Sequence, residues 1–333
     1  MGRRRYASLL VITWAAYITD SCSFFTRITA LRRGREHSTE GLLSGVPPEE
    51  AQAIEALRSA VGTSGMEPLA DPLTLLRFYR ARNRNVDAAA EMYRTTLAWR
   101  SEPFDQASIG DLMDAFGTPG QYHEDGSRST SDWTWSPHPN TLEAELAYRH
   151  AFFTRLPNQH VPEPILVWRA GHADYQGIVR EDLVEIMIKA FVVHLEDALQ
   201  ASRTASLKSG KLVRARLIID CDGFGFENVR YIPILKRIIA LGKSYYPEVA
   251  ATVTVIRAPA FLATFYKLVK PFLPNMLQQK ICILNGNFHD GLKKHTGLDV
   301  ASLPDFLGGN LRGIKFGEVL PVPSNALNFL CQS

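Results

Sequence analysis

Between Glu49 and Arg100 the apolar positions recur at the spacing of a helix face. Glu49 to Val61 forms one such stretch. Asp71-Pro72 opens a second, since aspartate suits an N-cap and proline tolerates the first helical position, and Leu73, Leu76, Phe78 and Tyr79 give it an apolar face. A third runs from near Asp87 to about Arg100, with Ala90, Tyr93 and Leu97 along one stripe and Met92 and Trp99 beside it. The three predict a small helical lobe.

Beyond Pro164 the period alternates. Ile165 to Trp168, Leu212 to Asp220, Thr252 to Ile256 and Lys280 to Leu284 are short apolar runs of strand length, while Asp182 to Ala198, Val229 to Tyr245 and Pro259 to Val269 repeat at helical spacing. Strands alternating with helices predict an α/β fold, a mainly parallel sheet flanked by helices. Gly117 to Pro164 has neither period over most of its length, only a helix-like stretch from Thr141 to Phe153, and is expected to be an insertion or connection. The expected divisions are a leader and linker over 1–46, a helical lobe over 47–116, the connection over 117–164, the α/β domain over 165–313 and a tail over 314–333.

The leader is basic and apolar in turn: Arg3, Arg4 and Arg5 precede an apolar run from Tyr6 to Ile18, too short to span a bilayer. With Arg27, Arg32, Arg33 and Arg35 following, residues 1–35 suit a targeting or signal segment, although no Ala-x-Ala cleavage pattern is present; the alternative is an extension that does not fold. A chain starting at Pro47 is expected to keep its thermal transition. Composition narrows the field further. With 333 residues, 46% hydrophobic and 21% charged, the chain has room for a large core and is neither disordered, collagenous nor multi-spanning. A net charge of +3 gives no reason to expect nucleic acid as a partner. Cys22, Cys221, Cys282 and Cys331 contain no Cys-x-x-Cys pair, so neither a zinc site nor a disulfide framework is indicated, and buried thiols in a reducing compartment are expected.

Familiar catalytic patterns fail on inspection. Gly242-Lys243-Ser244 lacks the earlier glycine of a phosphate loop, having Arg237 there, and lies in a helix; Gly223-Phe224-Gly225 has Asn228 where a dinucleotide fingerprint needs its third glycine. His194-Leu195-Glu196 has no Pro-Cys-x-x-Cys after it, and Asp220 and Asp222 at a strand end fit capping of the following turn better than metal binding. No catalytic residue, metal or cofactor is therefore expected. The helix from Pro259 is more informative. It carries Phe261, Leu262, Phe265, Tyr266, Leu268 and Val269 with only Thr264, Lys267 and Lys270 as polar breaks before Pro271 and Phe272. A helix apolar almost all round is either a central core helix or a lid over something greasy, and its lysines favour a position near the surface.

Five strings occur in order: Leu75-Leu76-Arg77-Phe78-Tyr79-Arg80-Ala81-Arg82 with Val86-Asp87-Ala88-Ala89 and Trp99-Arg100; Ile218-Ile219-Asp220-Cys221-Asp222-Gly223; Tyr245-Tyr246-Pro247-Glu248; Val269-Lys270-Pro271-Phe272-Leu273 with Lys280-Ile281; and Leu303-Pro304-Asp305-Phe306-Leu307-Gly308-Gly309. Together, over roughly Asp71 to Gly309, they resemble the CRAL-TRIO lipid-binding family, most closely its phosphatidylinositol/phosphatidylcholine transfer branch. The resemblance implies a helical lobe packed on an α/β lobe, a hydrophobic lipid pocket gated by a mobile helix, and carriage of one lipid without covalent chemistry. It implies headgroup contacts from Arg82, Glu248 and Lys280, and a pocket and gate containing Tyr245, Tyr246, Phe261, Leu262, Phe265, Leu268 and Phe272. Asn83 stands where the branch has a second cation, and Gly225 falls where its choline-contacting serine would be, which argues against phosphatidylcholine. The implied partners are a phospholipid, phosphatidylinositol first, and a membrane surface visited peripherally by a cytoplasmic monomer. A neutral cargo such as a tocopherol, retinoid or sterol-like molecule is the alternative, and an α/β enzyme using Asp220 or Asp222 a further one.

Overall fold

The computed structural model describes residues 45–62, 69–104, 108–109, 153–156, 163–180, 182–262, 266–267, 270–272 and 278–310. The leader, most of the connection before β1, and the tail lie outside them.

The helical lobe consists of α1 (Pro48–Val61), α2 (Pro72–Ala81) and α3 (Val86–Ser101). Their ends are set locally. Asp71 caps α2 by accepting from the Thr74 amide at 2.9 Å, Asn85 caps α3 by accepting from the Ala88 amide at 2.8 Å, and Gly62 closes α1 with a left-handed φ of 68°. Buried Glu50 of α1 accepts from Arg80 and Arg84, which fixes α1 against the turn between α2 and α3. Phe78 and Tyr93 meet edge to face at 5.2 Å inside the lobe.

The sheet has the order β1-β2-β3-β4-β5, with β1 (Phe153–Leu156), β2 (Ile165–Trp168), β3 (Ala215–Asp220), β4 (Ala250–Ile256) and β5 (Ile281–Ile283). β2 to β5 run parallel and β1 pairs antiparallel to β2. α4 (Tyr175–Arg180) and α5 (Val184–Ser209) lie between β2 and β3, α6 (Ile232–Tyr245) between β3 and β4, and α7 (His289–Thr296) follows β5. The mixed α/β class predicted from the periodicity is the class observed.

Three local expectations are corrected. The segment read as an insertion contains β1, and Phe153 belongs to this strand rather than to the end of a helix; a four-residue edge strand is held by its pairing with β2, which local periodicity does not reveal. The α6 helix begins at Ile232, not Val229, because Pro233 belongs in a first turn, and residues 226–231 form a 3-10 turn before it. The short helix α4 precedes α5, and Asp182 between them takes a φ of 56°.

Alternate residues along the strands point to opposite sides. Ile165, Val167, Ile218 and Ile256 pack into a closed cluster with Phe288 and Leu292 around α7. Leu166, Trp168, Leu217 and Ile219 face α5 and α6, in a larger cluster continuous with the helical lobe.

Candidate functional site

The second face of the sheet does not close. Between it and helices α5 and α6 lies a mainly apolar cavity of about 730 Å³. Ala215, Leu217, Ile219 and Cys221 of β3 and its end line the floor, and Met187, Phe191 and Leu195 of α5 and Ile234 and Ile238 of α6 line the walls. From Ala215 to Cys221 the floor extends ~20 Å at about 3.3 Å per strand residue. Burial in this apolar wall pushes the Cys221 thiol up to about 12, so it remains protonated and unreactive.

The two ends of the cavity differ in chemistry. At the N-terminal ends of the strands it is lined by Arg82, Asn83, Glu248 and Lys280. Lys280 Nζ donates to both Glu248 carboxylate oxygens, at 3.1 and 3.2 Å, and Arg214 Nη1 donates to the same carboxylate from the other side. Burial would raise the Glu248 pKa, but the charges of Lys280 and Arg214 hold it below the ordinary carboxylate value. Burial likewise lowers the Lys280 pKa, only partly opposed by Glu248. Glu248 is placed by strained backbone, with φ at 52°, and its carbonyl accepts from Arg77 Nη1 at 2.7 Å. Arg77 is 1% exposed, also donates to Ser206 Oγ and the Val213 carbonyl, and has its pKa lowered to about 10 by burial. It joins α2 to the turn that carries Glu248. Neither Arg77 nor Arg214 was singled out as a site residue from the sequence; the available signal was a cation inside the otherwise apolar run of α2.

Tyr246 is buried and lines the cavity, whereas Tyr245 stacks on Trp99 at 4.1 Å with the ring planes 2° apart and is not part of the lining. Trp99 also meets Tyr246 edge-on at 5.9 Å, and the adjacent Arg100 makes a two-point 2.7 Å contact with Glu196 of α5. The Trp-Arg and Tyr-Tyr-Pro-Glu strings are thus the two sides of one contact between lobes.

At the opposite end Tyr175, Phe224, Tyr231, Leu262 and Tyr266 line the cavity. Phe261 is half-buried beside this lining, 6.4 Å from Phe224 between ring centres. Phe265, Leu268 and the side chain of Phe272 lie outside the described residues. The structure therefore brings Arg82, Glu248, Lys280, Tyr246 and Leu262 to one cavity, and sets Tyr245 and Phe261 just outside its lining.

Asp220 occupies the other side of the sheet from the cavity. It is fully buried, accepts from Arg257 Nε at 2.8 Å and again from Arg257 Nη2, and lies 3.6 Å from Arg169. Asp222 is 3.4 Å from Arg257 and 3.7 Å from His172. Both carboxylates are thus engaged in ion pairs, and among the described residues no group of three or more histidine, cysteine or acidic side chains could hold a metal ion.

The sheet thus floors an apolar cavity that has one charged end. Residues 160–309 match the family model described as the CRAL/TRIO domain. Over 273 residues the chain is 26% identical to the CRAL-TRIO domain-containing protein T23G5.2 of Caenorhabditis elegans, covering 79% of this chain and 33% of that one. It is also 26% identical over 260 residues to the Sec14 cytosolic factor of Schizosaccharomyces pombe, covering 77% and 81%. The chain thus spans about a third of the first relative's length and most of the second's. The crystal structure of Sfh5 superposes with a TM-score of 0.48 at 13% identity, over 86% of this chain and 97% of that one. Among the described residues no helix is long and apolar enough to cross a membrane.

Proposed function

We propose that this chain carries a single phospholipid, phosphatidylinositol, in the cavity and exchanges it at membrane surfaces as a monomer, without covalent chemistry. The observation that supports this reading is the asymmetry of the cavity. Its walls suit acyl chains, and its charged end presents Arg82 and Lys280 to a phosphodiester and Glu248 as an acceptor for inositol hydroxyls. The Arg77 contact holds the Glu248 turn in a conformation that costs energy, as expected where a side chain must be aimed.

A second reading rests on the same ion pair. Because Glu248 is already matched by Lys280 and Arg214, a neutral amphiphile could occupy the apolar length of the cavity and leave the pair intact. Mass spectrometry of lipid co-purified with the full chain separates the two: an inositol phospholipid supports the first reading, a neutral lipid the second. A protein that takes up neither would overturn both.

A further inference from the structure

We propose that the opening at the charged end of the cavity takes an inositol ring bearing a further phosphate, so that the cargo is a phosphorylated inositol lipid and Lys243 is the residue that selects it. The inference rests on the carrier reading above and deepens it from a headgroup to the charge that the headgroup carries. Among the described residues the cavity lining holds four formal charges, Arg82, Lys243, Lys280 and Glu248, and all four stand at this end. Lys243 lies in the last turn of α6 and Asn83 in the turn between α2 and α3. Both line the cavity and both are exposed, so the cavity opens to solvent there. The wall beside Lys243 leaves room: Gly242 lines the cavity too, and a Cβ placed on it would meet no atom within 4 Å.

Charge decides what fills the opening. Glu248 is already matched by Lys280 and Arg214. Arg82 reaches only the neighbouring Ala81 carbonyl, at 3.5 Å, and Lys243 has no ion-pair partner among the described residues. The cations Arg82, Lys243, Lys280 and Arg214 against the single carboxylate of Glu248 leave three positive charges in excess. The groups next out do not cancel them, because Glu50 pairs with Arg80 and Arg84, and exposed Asp87 does no more than offset the second of those arginines.

A phosphodiester brings about one negative charge, and a phosphomonoester about 1.5–2 more at neutral pH. Phosphatidylinositol therefore leaves this end short of anions, whereas its monophosphate brings it close to balance. Position agrees with charge. Lys280 is half-buried beside Glu248, where a phosphodiester nearest the acyl chains would lie, and exposed Lys243 is a compact ammonium on a flexible stem at the rim, suited to a phosphate that projects outward. The Asn83 amide is a second donor at the same rim. A soluble inositol phosphate offers the same headgroup chemistry but leaves the apolar length of the cavity unfilled, which favours a lipid as its source.

The test offers the full chain vesicles containing equal amounts of phosphatidylinositol and phosphatidylinositol monophosphate and identifies the bound lipid by mass spectrometry, for wild type, Lys243→Gln and Gly242→Leu, with thermal melts alongside. Lys243 is exposed and Gly242 is helical with open space around it, so both variants are expected to melt no lower than wild type. Wild type should load the monophosphate in preference. Lys243→Gln should lower the ratio of monophosphate to phosphatidylinositol about tenfold, the fold-change for losing one charge-assisted partner, and Gly242→Leu should lower it by filling the opening. A wild type that loads phosphatidylinositol as well as its monophosphate, or better, would overturn the proposal and leave the carrier reading standing. An unchanged ratio in Lys243→Gln would overturn it as well. A wild type that loads neither lipid would sink the carrier reading and this inference with it. Glycerophosphoinositol phosphate, the same headgroup without acyl chains, should displace the bound lipid only in large excess; displacement at equal concentration would assign the opening to a soluble inositol phosphate and overturn the lipid as its occupant.

Discussion

The two faces of one sheet teach opposite lessons. On the α7 side Ile165, Val167, Ile218 and Ile256 are all completely buried and interlock with Phe288 and Leu292. On the other side their immediate neighbours Leu166, Leu217 and Ile219 look into the cavity. Strand alternation makes the same strands build a core on one side and a container on the other. The container gives up packing contacts, and the closed face and the helical lobe carry the stability that the cavity does not.

The sharpest way to break that division is to truncate neighbours. Ile218→Ala on the closed face should lower the unfolding free energy by about 2–5 kcal/mol, the usual cost of a new cavity in a packed core. Leu217→Ala should cost distinctly less, because its side chain already borders open volume. Denaturant melts of both variants decide the matter: equal losses would show the cavity face to be ordinary core.

A second test concerns the charged end. Lys280→Ala should reduce transfer of labelled phosphatidylinositol more than tenfold, since loss of one charge-assisted partner costs about 1.5–3 kcal/mol, and Arg82→Ala should act in the same direction. Glu248→Ala should have a smaller effect, because removing an acceptor for hydroxyls also removes repulsion of the phosphate. Transfer of a neutral lipid, measured alongside, should be unchanged. An equal loss for both lipids would mean that Lys280 supports the fold and does not select a headgroup.

Arg77→Met tests how the two lobes share the site. The methionine keeps an apolar stem but orphans the Glu248 carbonyl and leaves that of Val213 only its 3.3 Å bond from Ser206 Oγ, at about 1–3 kcal/mol for a buried unsatisfied group. The expected result is a moderate drop in stability accompanied by lost discrimination between inositol and neutral lipids. A drop in stability with selectivity intact would reduce Arg77 to a structural strut.

What could be read from the chain follows the same division between local and distant causes. α1 to α3 and the parallel strands were legible to within a few residues because their causes are local: Asp71-Pro72 at the start of α2 and apolar runs of helical or strand period; the equally local signals of Asn85 before α3 and Pro233 in the first turn of α6 were passed over. β1 was not, since its cause is the unpaired edge of β2. Arg82, Glu248 and Lys280 stand 166 and 32 residues apart in the chain, so no spacing rule joins them; they were named from the family resemblance alone. Arg214 and Arg77 escaped because a cation in an apolar stripe looks like a snorkelling side chain until its partner on another element is known. The stretch after Pro259 read as a helix lies partly outside the described residues.

The smallest expected effect separates the two faces by pH. His172 belongs to the charged cluster beyond the closed face, where Arg169 Nη2 donates to its Nε2 at 2.5 Å and Asp220, Asp222 and Arg257 surround the pair. Burial first, and the charge of Arg169 second, lower its pKa below the ordinary 6.5. The unfolded chain therefore binds the proton more readily than the folded one, so this contribution to stability is present above pH 6.5 and is lost as pH falls through the folded value. Glu248 at the cavity end is also lowered, but from 4.5, so its contribution persists until pH falls well below that of the histidine. Thermal melts between pH 7 and 5 should thus show a shallow decline that His172→Gln flattens, while phosphatidylinositol binding by the wild type holds steady over the same interval. A decline left unchanged in His172→Gln would place the acid sensitivity elsewhere, and a parallel loss of binding above pH 5 would show that the charged cluster and the cavity are coupled rather than separate.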